Sequence, residues 1–428
     1  MNFKSFFSLL LLLFLKFVLD YSYINYVQVI YGEFPLNITT PKMIESYALT
    51  LIVGGIVIKC FNELRKPSFI VIYILLLNLF IPLFSFYSLT DSSRLYVYTA
   101  ILSFLIVMSI VRYSVSIKLF YLTESKAILI TCIIAITTIV FGNLIIGGGV
   151  SRLSFDLLKV YEVREQYLTN KGFMMGYFLP WSAYSINTLL LAYFLYKKKK
   201  LAVVLILLFQ LFLYGTTGFK SYLFSPLLIF LIHFALNKRK MKSLLPLLTF
   251  GFTVVVIYSY IQYKVNDDIL TASILTRRNF FTPAQINFLF YDFFSENPFV
   301  LLSDSIFKYF IENPYGDITP VLYQVSEYYY GKRFGLNVGY IGNAFMHFGY
   351  IGVFIFSLLL GLVLKLVDSI SNNLPISVTV SSIIIPSMAF VNSGFLTVLL
   401  THGFLISCLL IWLLNNHLTF NSNKLNKL

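Results

Sequence analysis

Charge is what this 428-residue chain has least of: 12% of its residues are Asp, Glu, Lys or Arg, against 58% hydrophobic ones. An ordinary soluble domain carries about twice that charged fraction, which excludes a freely soluble enzyme or binding module. Cysteine is scarce as well. Cys60, Cys132 and Cys408 lie in or beside apolar runs and lack metal-ligand spacing, so they read as small core residues rather than redox groups. The chain has no P-loop, no dinucleotide fingerprint, no zinc motif and no Ser-His-Asp arrangement. The first 27 residues have no small-residue cleavage site and are expected to be a retained first span rather than a signal peptide.

What is present is hydrocarbon. Mean hydropathy is +0.82, and runs of the roughly 20 apolar residues needed to cross a bilayer recur along the whole sequence. Length alone would suggest two or three soluble domains, but composition overrides that prior. The expected fold is a single all-α polytopic bundle over 1–428 with about twelve transmembrane helices: 4–26, 42–60, 68–88, 94–112, 127–147, 173–196, 201–217, 219–236, 244–263, 340–364, 375–393 and 396–414.

Basic residues are distributed unevenly among the connections. With the N-terminus in the cytoplasm, cytoplasmic segments hold 18 of the 32 Lys and Arg but only Glu63, Glu124 and Asp368. The opposite side holds 13 basic and 14 acidic residues, while Lys16 and Asp20 lie inside the first span. Short Lys/Arg-rich loops stay cytoplasmic. The net charge of +14 is therefore a topology signal, not a nucleic-acid footprint, and the run Lys197–Lys200 is a stop-transfer feature. Both termini are expected in the cytoplasm, and the loops 148–172 and 264–340 outside it.

The 264–340 interval is polar, charged and aromatic together, too long for a structureless connection, and is expected to be a folded lid. Thr282-Pro283 reads as the start of a helix that stops at Asn297-Pro298. Ser303-Asp304 opens a second that ends at Asn313-Pro314, and Thr319-Pro320 a third that Gly331 closes. Their aromatic faces suit the bundle surface or the membrane interface. The 148–172 loop contains Arg152, Tyr161 and Arg164, and a turn, Gly215-Thr-Thr-Gly-Phe-Lys220, adds Lys220.

Arg152, Arg164, Lys220, Arg277 and Arg278 would then share a membrane face where the positive-inside rule disfavours cations, and anion binding is the simplest reason to keep them there. An arginine fork suits a pyrophosphate. The rival readings are an ion pair with Glu162 or Glu165 for Arg164, lipid-facing snorkelling for Arg277 and Arg278, and an interfacial anchor for Lys220. Candidate acids and bases are Asp292, Asp304, Glu327 and His347. Helix capping competes for Asp304, and a neutral carbonyl-bonded histidine competes for His347 and for His402. Asp267-Asp268 is too little for a metal site, and no metal or other cofactor is expected. Gly339, Gly342, Gly349 and Gly352 suit close helix packing better than phosphate binding.

Three pieces together resemble the Wzy-type O-antigen or oligosaccharide repeat-unit polymerases. They are Tyr161-Glu-Val-Arg164 in its loop, Gly218-Phe-Lys-Ser221 opening a span, and the long loop with Arg277 to Ala284, Tyr291 to Pro298 and Asn337 to Gly352. The resemblance covers most of 140–370. It departs from the paired Arg-x10-Gly motif of some members, since eleven residues separate Arg164 from Gly176. It implies a GT-C-like glycosyltransferase bundle in the bacterial inner membrane. The activity implied is transfer of a growing glycan from undecaprenyl pyrophosphate to the end of another lipid-linked repeat unit, in O-antigen or capsule synthesis. Arg164, Arg277, Arg278, Asp304 and His347 are the residues expected in catalysis. Arg152, Tyr161, Lys220, Tyr291, Glu327 and Asn337 are those expected to hold substrate. The partners implied are the donor and acceptor glycolipids, membrane lipids and a chain-length regulator, with no nucleic acid. An O-antigen ligase is the nearer alternative, and a flippase for lipid-linked sugars the alternative from another class. The spans are nearly free of charge and show no repeat symmetry, which disfavours transport.

Overall fold

Backbone groups in a hydrocarbon layer must be satisfied within their own segment, so long apolar runs fold as helices. In the computed structural model, which describes residues 3–64, 66–237, 241–316 and 320–425, no strand occurs among those residues. In chain order the helices are α1 (Phe3–Ile30), α2 (Thr40–Leu64), α3 (Pro67–Leu89), α4 (Arg94–Tyr113), α5 (Ser125–Ile146), α6 (Val160–Thr169), α7 (Met175–Tyr196) and α8 (Lys200–Thr217). They continue with α9 (Lys220–Asn237), α10 (Met241–Asn266), α11 (269–296), α12 (Val321–Tyr330), α13 (Tyr340–Ile370), α14 (Ile376–Met388), α15 (Phe395–Leu400) and α16 (Phe404–Leu425). By length and composition, ten stretches among the described residues can cross a membrane, the last combining α15 and the greater part of α16. Two shorter apolar helices, Lys220–Leu236 and Ile376–Val391, stand where the eighth and eleventh spans were expected.

The chain divides into two compact units. The first comprises 1–114, 241–364 and 390–395, and α3 is its axis: the apolar window of this helix is completely buried. α1 packs on α2 and α10, and α2 on the second half of α3. Hydrogen bonds between buried polar side chains tie the helices together. Asn287 accepts from the Tyr96 hydroxyl of α4 and the Gly342 amide of α13, both at 3.0 Å. Ser103 of α4 bonds to Ser357 of α13 at 2.6 Å. Lys16 and Asp20 do not merely cancel in charge. They form a buried ion pair at 2.7 Å, with the Lys16 ammonium 4.1 Å from the Tyr47 ring centroid.

The second unit comprises 115–240, 365–389 and 396–428. Here α7 packs on α8, α9 and α14, and α16 on α5. Asn187, Gln210 and Ser225 link α7, α8 and α9 in a buried chain of hydrogen bonds at 2.6 and 2.9 Å. Under the 148–172 loop, Leu144, Val160, Tyr167, Leu213 and Tyr222 share one apolar cluster.

The long loop differs from expectation at two of its three helices. Thr282-Pro283 does not start a helix, because α11 already runs from 269. A wide i→i+5 turn over Ser273–Phe281 precedes the proline. Such a widened turn displaces the carbonyls that a proline ring would otherwise strike, and the Thr282 hydroxyl that would have capped is buried without a partner. The same device recurs in α3, where Leu76–Phe80 widens just ahead of Pro82. Residues 301–310 form turns instead of the second helix. Leu301 and Leu302 both take positive φ, 51° and 70°, which breaks helical continuity before Asp304. The third helix forms as expected, with Pro320 before α12 and Gly331 at φ 64° after it. Thr319 lies outside the described residues.

Candidate active site

In the first unit the links 31–39 and 90–93 meet α11 and α12 at one end of the helices. The Asn37 amide donates to the Leu89 carbonyl at 2.8 Å, and the Gln285 side chain donates to the Glu33 carbonyl at 2.6 Å. Between them lies a cavity of about 500 Å³, lined by Glu33, Asn37, Asp91, Gln285, Asp292, Tyr329 and Tyr330, with Phe86 and Phe288 as apolar wall. That volume falls within the roughly 300–1,000 Å³ of small-molecule sites.

The charges around this cavity are unevenly matched. Glu33 faces Arg277 at 3.4 Å, and Asp91 faces Lys42 at 3.2 Å. Asp292 has no hydrogen-bond or ion-pair partner among the described residues. Its carboxylate opens onto the cavity, and the residue is exposed there while the walls bury part of its surroundings. Burial, reinforced by Glu296 one turn on, pushes its carboxyl up to about 6. Tyr329 beside it is raised well above the ordinary tyrosine value, first by burial and then by the Asp292 charge. The Tyr330 hydroxyl is pushed up to about 12 by burial, raised further by Glu33 and lowered by Arg277.

Arg277 sits on the widened turn of α11. Its guanidinium stacks on the Tyr31 ring at 4.2 Å and takes Ser273 Oγ at 2.9 Å from Nη2, so it is held in the unit and does not snorkel. Arg278 is exposed and has no partner among the described residues. The other expected residues of this unit are more dispersed. Burial raises the Asp304 carboxyl, and the Val321 amide at the start of α12 opposes that rise. Glu327 pairs with Arg333 at 2.7 Å on the surface, and Asn337 is exposed. Tyr291 is buried against Tyr96 and Phe345, with its hydroxyl 3.0 Å from that of Tyr350.

His347 occupies a hinge. Its Nδ1 accepts the Leu302 amide at 3.2 Å, its carbonyl accepts the Leu301 amide at 3.2 Å, and Met346 accepts from Val300 at 3.0 Å. With Nδ1 accepting, the proton of the neutral ring lies on Nε2, 3.4 Å from the Asn343 amide nitrogen. No lone pair is left free, so this arrangement suits a pin for the strained Leu301-Leu302 turn better than a general base. α13 breaks immediately afterwards, at Gly349 (φ 59°), where a Cβ would meet the Phe299 ring at 2.7 Å.

In the second unit the structure brings Tyr161, Arg164 and Lys220 together. Gly218 makes this possible: it takes φ 66°, and a Cβ there would lie 2.3 Å from the Val160 carbonyl. Its carbonyl accepts Arg164 Nη2 at 2.9 Å, and the guanidinium lies 4.8 Å from the Phe219 ring and 5.7 Å from Tyr161. Arg164 Nε is buried without a partner, and among the described residues Arg164 makes no ion pair with Glu162 or Glu165. The Lys220 ammonium lies 5.4 Å from the Tyr161 ring. Arg152 turns inward, donating to the carbonyls of Thr216 (2.7 Å) and Gly147, and burial lowers its pKa. It staples two helix ends.

Sequence reading named Asp292 among the candidate acids but placed it in no site, and it missed Glu33, Asp91, Tyr329 and Tyr330. Among the described residues, no group of three or more His, Cys, Asp or Glu is placed to hold a metal ion. No curated protein and no solved structure matches the chain. The family model for O-antigen polysaccharide polymerase Wzy does match, over residues 269–421, from the first residue of α11 into α16. The matched stretch contains Arg277, Arg278, Asp292 and His347 and leaves out the 148–172 loop and Lys220. It bears out the resemblance to the O-antigen polysaccharide polymerase Wzy family and supports polymerisation of O-antigen repeat units by this multi-pass membrane protein of polysaccharide biosynthesis.

Proposed function

We propose that the chain polymerises undecaprenyl-pyrophosphate-linked oligosaccharide repeat units by glycosyl transfer on the periplasmic face of the bacterial inner membrane. The observation that carries this reading is the unpartnered Asp292 carboxylate in a 500 Å³ cavity, near an anchored Arg277 and inside the matched stretch. A general base works best with a pKa near the working pH, and Asp292 is moved towards it. In the proposed step the acceptor hydroxyl oxygen bonds to the anomeric carbon of the donor glycan while Asp292 takes its proton. The bond from that carbon to the pyrophosphate oxygen breaks, and undecaprenyl pyrophosphate leaves with the electron pair. Arg277 and Arg278 stabilise the departing charge, and the transition state is oxocarbenium-like. Tyr329 and Tyr330 provide faces for the acceptor sugar. The Arg164–Lys220 surface of the second unit is a further anion-binding surface.

Deletion of the gene tests this reading. The expected surface polysaccharide carries a single repeat unit, restored to a ladder by the wild type and not by Asp292→Asn. Loss of every repeat unit from the core would indicate a ligase, and retained long chains would refute both readings.

A further inference from the structure

Three of the side chains that line the cavity carry a formal charge when ionised at neutral pH, and all three are carboxylates: Glu33, Asp91 and Asp292. No Lys or Arg lines it. Arg277 and Lys42 stand behind Glu33 and Asp91 and offset two of the three charges. Nothing offsets Asp292, and Glu296, the next acid on the same helix face, adds charge of the same sign. The remaining polar lining, including Asn37 and Gln285, can hydrogen-bond to hydroxyl and acetamido groups, and Tyr329, Tyr330 and Phe288 offer apolar faces to a sugar ring.

From this we infer that the cavity admits acceptor sugars that are neutral or carry an amine and discriminates against acidic sugars such as uronates. The inference rests on the reading of the cavity as the acceptor site. A uronate would place a second uncompensated carboxylate in the same cavity as Asp292, where like charges repel and ionisation of both is disfavoured. An ammonium group would instead find the counter-charge that Asp292 lacks. The selection works by an unfavourable charge against the wrong sugar, in addition to contacts with the right one.

The test is binding to the purified full chain in lipid nanodiscs at neutral pH, followed by saturation-transfer NMR and titration calorimetry. The probes are di-N-acetylchitobiose (neutral), its deacetylated form (cationic) and a glucuronic acid–N-acetylglucosamine disaccharide (acidic). The acidic probe should bind about tenfold or more weakly than the neutral one, as expected for unscreened like charges a few ångströms apart. Asp292→Asn should bring the acidic probe to within about threefold of the neutral one measured on the same variant, whatever that variant does to the neutral probe itself. Glu296→Gln, outside the lining, should narrow the gap in part. Equal binding of acidic and neutral probes to the wild type would overturn the inference, as would a gap unaltered by both variants or no binding of any probe. An Asp292→Asn protein that makes no polymer but keeps the gap would leave the base reading standing and remove the selectivity. One that closes the gap yet polymerises would do the reverse.

Discussion

Acid should slow this protein through Asp292 without unfolding it there, and the two effects have opposite signs. With its carboxyl at about 6, Asp292 is about nine-tenths ionised at pH 7 and about one-tenth at pH 5, so a reaction needing it as a base should slow about tenfold over that interval. The stability effect follows from the same displacement. A folded-state pKa raised above the ordinary 3.8 penalises the fold wherever the group is ionised. The penalty grows as pH rises from the ordinary value through about 6 and is relieved as pH falls back. Full desolvation would make it about 3 kcal/mol. Asp292 opens onto a cavity, and solvent screening reduces the figure to about 1 kcal/mol. At this residue, lowering the pH to 5 therefore stabilises the fold while removing the base. Asp292→Asn should melt no lower than the wild type at neutral pH. Initial rates of chain extension on lipid-linked repeat units, in proteoliposomes with a parallel melting curve at each pH, separate the two effects. Glu296→Gln should shift the acid limb towards lower pH, since it removes the smaller of the two causes. A rate unchanged between pH 7 and 5, or the same acid limb in Asp292→Asn, would refute the argument.

Arg277→Ala should lower polymer formation about tenfold to a hundredfold, the range for losing charge-assisted hydrogen bonds, and Arg277→Lys should lower it less. The fold should survive because Glu33 is partly solvated, and normal chain length in the alanine variant would remove Arg277 from the site. Breaking the Lys16–Asp20 pair with Asp20→Asn leaves a buried ammonium and should cost about 3–5 kcal/mol in thermal unfolding. Lys16→Met with Asp20→Leu should recover most of it, and equal loss in the single and double variants would contradict the ion-pair account. His347→Ala deprives the Leu302 amide of its acceptor, so hydrogen exchange over 301–316 should accelerate about tenfold, and unchanged exchange would dismiss the hinge pin.

How much of this was legible in the sequence depends on whether a signal is local. Helices that must satisfy their own backbone announce themselves by hydropathy, which is why ten of the twelve expected spans coincide with helices long and apolar enough to cross, among the described residues. Pro320 and Gly331 bracket α12 because both act within a residue or two of themselves. Pro283 misled because its consequence is set by the turn before it, and an i→i+5 turn is not written in any residue type. Asp304 opens no helix, because the positive φ of Leu301 and Leu302 just before it puts the chain into turns. Arg152 looked like a ligand group from its charge alone, and only the approach of Thr216 and Gly147 shows that it is committed to carbonyls.

The cavity was hidden for a more general reason. Orientation by charge makes every cation on the far side an anomaly that demands an explanation, so Arg164, Lys220, Arg277 and Arg278 stood out at once. An acid on that face is unremarkable, because the expected topology puts 14 of the 18 acidic residues there. Glu33, Asp91 and Asp292 therefore carried no more signal than their neighbours, although the fold gathers them around one cavity from two separate segments of the first unit. The same asymmetry explains why the expected catalysts were mostly arginines. Arginines can bind and stabilise a pyrophosphate but cannot take a proton at neutral pH. The group that can was already among the candidate acids, and what singles it out is the absence of a partner, a property of the folded chain alone.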